Sequence, residues 1–277
     1  MKRIHAITSP DNKQLKNWQK LKTRKERKKQ GAFLIEGEHL LEEAACANLP
    51  FLAAIFSSEI EEKIPLWLGK LPEQVPVYVI EPSLFHKLTE TETPQGMAAV
   101  VKWPVWSLDE IWTKNEPRRT FLLLDSIQDP GNLGTLIRTA KAAGIDGIFL
   151  GKGSVDPFNG KVVRSAMGAI FKLPLWQADL KEILPDLKAR GVTIVNTSPR
   201  ATRYHFDYTF PDQVAVLLGN EGRGVQAALG EYVDVDLKIP MPGEMESLNV
   251  SVTGSLLLYE RICQHYCWRD GCGQDEG

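Results

Sequence analysis

At 277 residues the chain has room for two domains of the usual size, about 100–200 residues each. With 43% hydrophobic and 25% charged residues it has the make-up of a globular protein, not of a disordered or fibrous one. The formal net charge of −2 excludes a uniformly basic polyanion binder, but the average conceals an asymmetry: residues 1–30 hold eleven Lys/Arg against two Asp/Glu, and the remainder holds 22 against 33.

"MKRIHAITSP" has basic residues with no apolar stretch behind them, and no apolar run approaches the roughly 20 residues of a membrane span. A cytoplasmic protein without a membrane partner is expected. Ser9-Pro10-Asp11 reads as a helix start, Leu15, Trp18 and Leu21 recur on one face, and Gly31 supplies a stop. The run "KLKTRKERKKQ" therefore rides on one helix that docks by a narrow apolar stripe. Its Lys20, Lys22, Arg24, Lys25, Arg27 and Lys28 are candidate contacts to nucleic-acid phosphates, although a charge run by itself is more often a solvated helix face.

Next come "AFLIEG" (strand), "EHLLEEAACA" (helix), "LAAIFS" and "VPVYVI" (strands), "PSLFHKLTE" (helix) and "GMAAVV" (strand). This alternation predicts a small α/β domain over residues 1–105. Residues 106–118, with prolines, charges and isolated aromatics but no sustained period, read as a linker carrying at most a short helix.

From 119 to 277 the alternation resumes. The expected order is "FLLLD", a helix from about Asn132, "GIFL", a helix through "VVRSAMGAI", "LPLWQ", a helix ending near Arg190, "VTIVNT", "VAVLLG", "VDVDLKIP" and a final helix. Short continuous apolar strands between helices indicate a parallel sheet covered on both faces. Ligands bind such sheets at the strands' carboxyl ends, which directs attention to the loops after Leu124, Leu150, Val195, Leu218 and Ile239.

Several chemistries are absent by inspection: there is no P-loop, nucleophile elbow, zinc-protease helix or EF-hand, and Gly131 and Gly134 lack the dinucleotide spacing, which argues against a nicotinamide oxidoreductase. Three loops stand out. "DPGNLGTLIRTAKAAG" pairs Asn132 with Arg138, whose planar fork suits phosphate. "LLGNEGRGV" sets Asn220 and Glu221 among three glycines. In "IPMPGEMESLNVSV", Pro240 and Pro242 forbid regular pairing and Ser247 can start the final helix. Taken singly, each has a plain reading as a helix cap or a turn.

Together, in order and spacing, the three loops resemble the motifs of the SpoU (TrmH-like) branch of the SPOUT RNA methyltransferases, over residues 119 to 265. "FLIEGEHLLEEA" and "TPQGMAAV" resemble that family's α/β substrate-binding domain. The resemblance implies an α/β fold whose parallel-sheet C-terminal domain contains a deep trefoil knot, S-adenosyl-L-methionine as cofactor, a homodimer, and methyl transfer to a ribose 2′-hydroxyl of structured RNA. Ribosomal RNA is favoured over transfer RNA because the separate N-terminal domain resembles the ribosomal members.

Carried over by position, the donor contacts fall on Gly219, Ile239, Met241 and Leu248, and the polar active-site positions on Asn132, Arg138, Glu221, Ser247 and Asn249. The family's mechanism gives Arg138 the deprotonating role; since a guanidinium stays protonated, holding phosphate and hydroxyl in line and stabilising the alkoxide is the physically preferred role. No metal is expected, because Cys263, His265, Cys267 and Cys272 fit no standard zinc spacing. Cys263 reads as a core residue on a helix face. The reading from another class is a non-catalytic RNA-binding or ribosome-assembly protein, disfavoured by the joint presence of Asn132, Arg138, Glu221 and Asn249.

Overall fold

The computed structural model describes residues 4–113 and 116–266. In chain order the elements are β1 (Ile4–Ile7), α1 (Lys13–Lys20), α2 (Arg24–Gln30), β2 (Ala32–Glu36), α3 (Glu38–Cys46), β3 (Phe51–Ser57), α4 (Ile64–Lys70), β4 (Val77–Ile80), α5 (Pro82–Leu88), β5 (Met97–Lys102) and α6 (Asp109–Thr113). They continue with β6 (Arg119–Leu124), α7 (Pro130–Ala142), β7 (Gly147–Gly151), α8 (Gly160–Ala166), β8 (Leu175–Ala178), α9 (Leu180–Ala189), β9 (Thr193–Thr197), β10 (Arg203–Tyr204), β11 (Gln213–Leu218), α10 (Ala227–Gly230), β12 (Val235–Lys238) and α11 (Val250–Tyr266). Every strand expected from the sequence is present, and so is every long helix but the first, which is divided in two. Four short elements, β1, α4, β10 and α10, were not anticipated; each is too brief for a period to show.

The described residues form two compact units, one within Met1–Val105 and Asp156–Lys172, the other within Trp106–Val155 and Leu173–Gly277. The segment 156–172, which the sequence reading assigned to the second domain, falls in the first unit. Its sheet runs β1-β4-β3-β5-β2, with β5 antiparallel to both neighbours. Side chains alternate across a strand, so Ala32, Ile55 and Val100 meet Leu15, Trp18, Phe85 and Leu88 of α1 and α5 on one face. On the opposite face Phe33, fully buried, packs against Phe158 and Phe171, with ring centroids 4.9 and 6.2 Å apart. Those two rings pack the segment 156–172 onto this sheet.

The basic region is two helices, not one. Ser9 forms a turn by accepting from the Asp11 N–H, and Asn12 caps α1 instead. At Thr23 the backbone is extended and the side chain accepts from the Glu26 N–H, which starts α2; Gly31 closes it in the left-handed conformation at φ 57°. The break frees carbonyls at the end of α1, and Arg27 satisfies them by donating to Leu21 O at 2.8 Å and Lys22 O at 2.9 Å. Its guanidinium also pairs with the buried Asp156 at 2.6 Å. Arg27 is thus a buried structural cation and leaves the set of candidate phosphate contacts. Lys22 is exposed, but its ammonium donates to Lys87 O and Thr89 O at the end of α5. Lys20, Arg24, Lys25 and Lys28 stay exposed, joined by Lys13, Lys16 and Lys29.

The second unit has seven parallel strands in the order β10-β12-β9-β11-β6-β7-β8. Leu180, Leu184 and Leu187 of α9 pack with Phe121, Leu123, Phe149 and Leu217 on one face. The neighbouring residue Leu218 points the other way, where α11 crosses so closely that a Cβ on Gly254 would lie 2.8 Å from Leu218 and 2.6 Å from Leu136 of α7. Both faces are therefore covered, as a parallel sheet requires. Among the described residues no helix is long and apolar enough to cross a membrane.

Arg27→Ala leaves Asp156 buried with only the Phe158 N–H to satisfy it. Breaking a buried pair in this way costs about 3–5 kcal/mol, whereas Lys25→Ala, at an exposed position, should change stability by no more than about 0.5 kcal/mol. Urea denaturation of the two variants measures the difference.

Candidate functional site

A hollow of about 610 Å³ opens at the carboxyl ends of β9, β11 and β12. Its walls are Asn196–Pro199 at the end of β9 and just beyond it, Gly219–Gly222 after β11, Ile239 and Met241 after β12, and Ser247–Val250 at the start of α11, with Asn132 of α7 at one side. Residues 239–249 form neither helix nor strand, as Pro240 and Pro242 dictate. Gly219, Ile239, Met241 and Leu248 all line the hollow, together with Asn132, Glu221, Ser247 and Asn249. Of the strand-end loops singled out in the sequence, that after Leu150 contributes no lining residue.

The turn after β11 is built by Asn220. Its backbone pairs with Gly224 in both directions, its Oδ1 accepts from the N–H groups of Gly222 and Arg223 at 3.1 Å, and its Nδ2 donates to Ser126 O at 2.9 Å. Inside this turn Gly219 passes so near the returning chain that a Cβ would lie 2.1 Å from Gly224 C and Val225 N. Only glycine fits there. The turn holds Glu221 at the rim, pointing toward the loop that precedes α7.

That loop ends at Asp129, which caps α7 by accepting from the Asn132 N–H at 2.8 Å. Asn132 is therefore the third residue of the helix and not its cap, so its side chain is free to act elsewhere. Its Nδ2 donates to Glu221 Oε1 at 3.2 Å, and its Oδ1 accepts from Asn249 Nδ2 at 2.9 Å. Glu221 also accepts from the N–H groups of Asp129 and Gln128 at 3.2 and 3.4 Å, at the positive end of α7. Partial burial by itself would raise the Glu221 carboxyl; the hydrogen bonds from its own N–H, from Asn132 and from Asp129 and Gln128 outweigh it and hold the group below its ordinary range. Glu221 is ionised at neutral pH.

Two sequence expectations change here. The final helix is capped by Asn249, whose Oδ1 accepts from Ser251 N and whose carbonyl accepts from Thr253 N, so Ser247 stays in the loop, facing the hollow. Cys263 is exposed, not in the core. Arg138 lies on the exposed side of α7 and does not line the hollow. Among the described residues no cluster of His, Cys, Asp and Glu could hold a metal, and Cys267 and Cys272 lie outside them. The wall formed by Asn196, Thr197 and Ser198 was missed as a set of residues, although the loop after Val195 was marked by its place at a strand end.

Residues 119–259 match the SpoU rRNA Methylase family, and residues 12–99 match the MRM3-like substrate binding domain. The chain is 42% identical to the 23S rRNA (guanosine(2553)-2′-O)-methyltransferase RlmP of Bacillus subtilis, over 92% of this chain and 98% of that one. It is 30% identical to the 23S rRNA (uridine(2479)-2′-O)-methyltransferase of Streptomyces viridochromogenes, over 93% and 92%. Among solved structures it is similar to the SpoU methyltransferase AviRb of Streptomyces viridochromogenes in complex with AdoMet, with TM-score 0.83 and 29% identity over 92% and 98% of the chains. It is also similar to an AdoMet-bound rRNA methyltransferase from Sinorhizobium meliloti, with TM-score 0.84 and 26% identity over 95% and 98%.

Gly219→Ala forces the turn open against backbone on both sides and should cost about 1–3 kcal/mol, read as a lowered thermal midpoint. Glu221 gives a pH signature. A carboxyl depressed in the native state contributes stability that is in place above its unfolded pKa and disappears as pH falls through the native one. Thermal midpoints of Glu221→Gln should therefore lie below those of the parent chain at neutral pH and converge on them on the acid side of pH 4.5.

Proposed function

The chain belongs to the SpoU rRNA methylase family, and from that premise we propose that it transfers the methyl group of S-adenosyl-L-methionine to a ribose 2′-hydroxyl of large-subunit ribosomal RNA. The observation that carries this reading is the convergence of Asn132 of α7, Glu221 of the turn after β11 and Asn249 at the start of α11 on the rim of one hollow.

The residues fit the cofactor. The hollow lies within the usual range for small-molecule sites, about 300–1,000 Å³. Leu218, Leu237, Ile239 and Leu248 offer apolar walls for an adenine, and the backbone at Gly219 is bare of side chain. The carboxylates of Glu221 and Glu246, which line the hollow, would favour a positively charged sulfonium there. When bound, the cofactor supplies a methyl carbon already activated by that sulfur.

What remains for the protein is to align a hydroxyl and help its proton leave. The amides of Asn132, held by Glu221, and of Asn249, bonded to Asn132, orient the ribose. Arg138 grips the adjoining phosphate and stabilises the developing alkoxide.

The exposed side of α11 supports a homodimer. Val252, Leu256 and Tyr259, at 46%, 38% and 47% exposure, form a stripe that Cys263 extends, and Thr135 of α7 and His205 complete a second hollow beside it. Arg138 lies one turn beyond Thr135 on the same exposed side of α7, within reach of a second copy seated on this stripe. The segment from β12 to α11 would thread the trefoil knot that the family's motifs imply. Lys20, Arg24, Lys25 and Lys28 would meet RNA phosphates, in line with the substrate-binding match over residues 12–99. A binding protein without catalysis has no use for the Asn132, Glu221 and Asn249 constellation.

Incubation with tritiated S-adenosyl-L-methionine and unmodified 23S ribosomal RNA should label a single ribose 2′-oxygen. Donor binding without transfer to any RNA fraction would overturn the reading. In Arg138→Lys, calorimetry should find donor affinity unchanged while turnover disappears.

A further inference from the structure

We infer that Ser251, in the first turn of α11, is a positioning residue for methyl transfer: its hydroxyl, beside its backbone N–H, fixes the plane of the Asn249 amide and, through it, that of Asn132. The inference rests on the reading of the hollow as the methyl-transfer site. An asparagine amide has an acceptor at one end and donors at the other, so its neighbours dictate which way it faces. Asn249 Oδ1 accepts from Ser251 N at 2.8 Å and from Ser251 Oγ at 2.6 Å. The N–H, which can only donate, selects this oxygen and sends the Nδ2 end outward to the rim, and the hydroxyl donates beside it as the second point that holds the amide plane.

The consequence is transmitted. Asn249 Nδ2 can only donate, so Asn132 must present Oδ1 to it, at 2.9 Å. Asn132 Nδ2 is then left facing Glu221 Oε1, at 3.2 Å. Hydrogen bonds thus run with one polarity from α11 to the Glu221 carboxylate, which closes the series because it can only accept. A flipped Asn249 would present oxygen to oxygen at Asn132 and undo the orientation of both amides.

Ser251 is 7% exposed, so water competes poorly for its hydroxyl. No neighbour can replace it, because the Ser255 hydroxyl one turn on is committed to Ser251 O at 2.7 Å and Thr139 Oγ1 at 3.2 Å. Removing the hydroxyl leaves Asn249 Oδ1 its bond from the Ser251 N–H, so the cap and the fold survive. What is lost is the second donor that fixes the amide plane.

The test compares Ser251→Ala and Ser251→Thr with the parent chain. Ser251→Ala should lower kcat about tenfold, one hydrogen bond's worth, while KM for 23S RNA, donor affinity, thermal midpoint and oligomeric state stay as in the parent; Ser251→Thr, which keeps the hydroxyl, should restore kcat. Independently of turnover, selective nitrogen-15 labelling of asparagine should show the Asn249 side-chain amide exchanging with solvent faster in Ser251→Ala than in the parent. An unchanged kcat, a kcat loss that Ser251→Thr fails to repair, or unchanged amide exchange would overturn the inference. Absence of transfer by the parent chain would instead overturn the methyl-transfer reading, with the amide exchange still deciding the role of Ser251.

Discussion

The pairing of β6 with β11 is the constraint on which the site depends. The two strands lie side by side in parallel, with Leu124 opposite Leu218, and so their loops leave the sheet together at the same edge. Asn132 and Glu221 are 89 positions apart in sequence, and this register is what brings them within hydrogen-bonding distance. A register shift of one residue would turn the buried leucines to the wrong face of a sheet covered on both sides. The core therefore guards the geometry of the rim.

The rim itself is held by backbone as much as by side chains. At Gly219 the chain passes against its own return, and at Gly254 helix α11 lies close against α7 and β11. These two close approaches leave no space for a side chain and allow little adjustment between the loops. Within them, Asn220, Asn132 and Asn249 each use one end of an amide to brace the backbone or another loop and the other end to reach onward. The concentration of asparagine follows from that double capacity, which a carboxylate, an acceptor only, does not share and which a hydroxyl offers at a single atom.

In the first unit charge is used in two opposite ways within one short run. Arg27 faces inward, joins the end of α1 to Asp156 and is closed off from solvent, while Lys20, Arg24, Lys25 and Lys28 face outward. A basic run is usually taken as one surface feature, yet here one member in six is part of the interior. The distinction is energetic: a buried guanidinium is tolerated only where carbonyls and a carboxylate surround it, and the break between α1 and α2 provides those carbonyls.

Local chemistry made much of this protein readable from its sequence. Short apolar strands between amphipathic helices announced the covered parallel sheet, Gly31 ended α2, prolines 240 and 242 kept that loop irregular, and three ordered loops marked the family and the residues of the hollow. Strand pairing, by contrast, is a matter of contacts distant in sequence. Only the tertiary structure decided that Asp156 would meet Arg27, that residues 156–172 would cover the first sheet, and that Asn249 in place of Ser247 would cap α11. Periodicity records which side of an element is apolar; which element lies against that side, and which polar group is stranded there without water, is known only once the chain has folded.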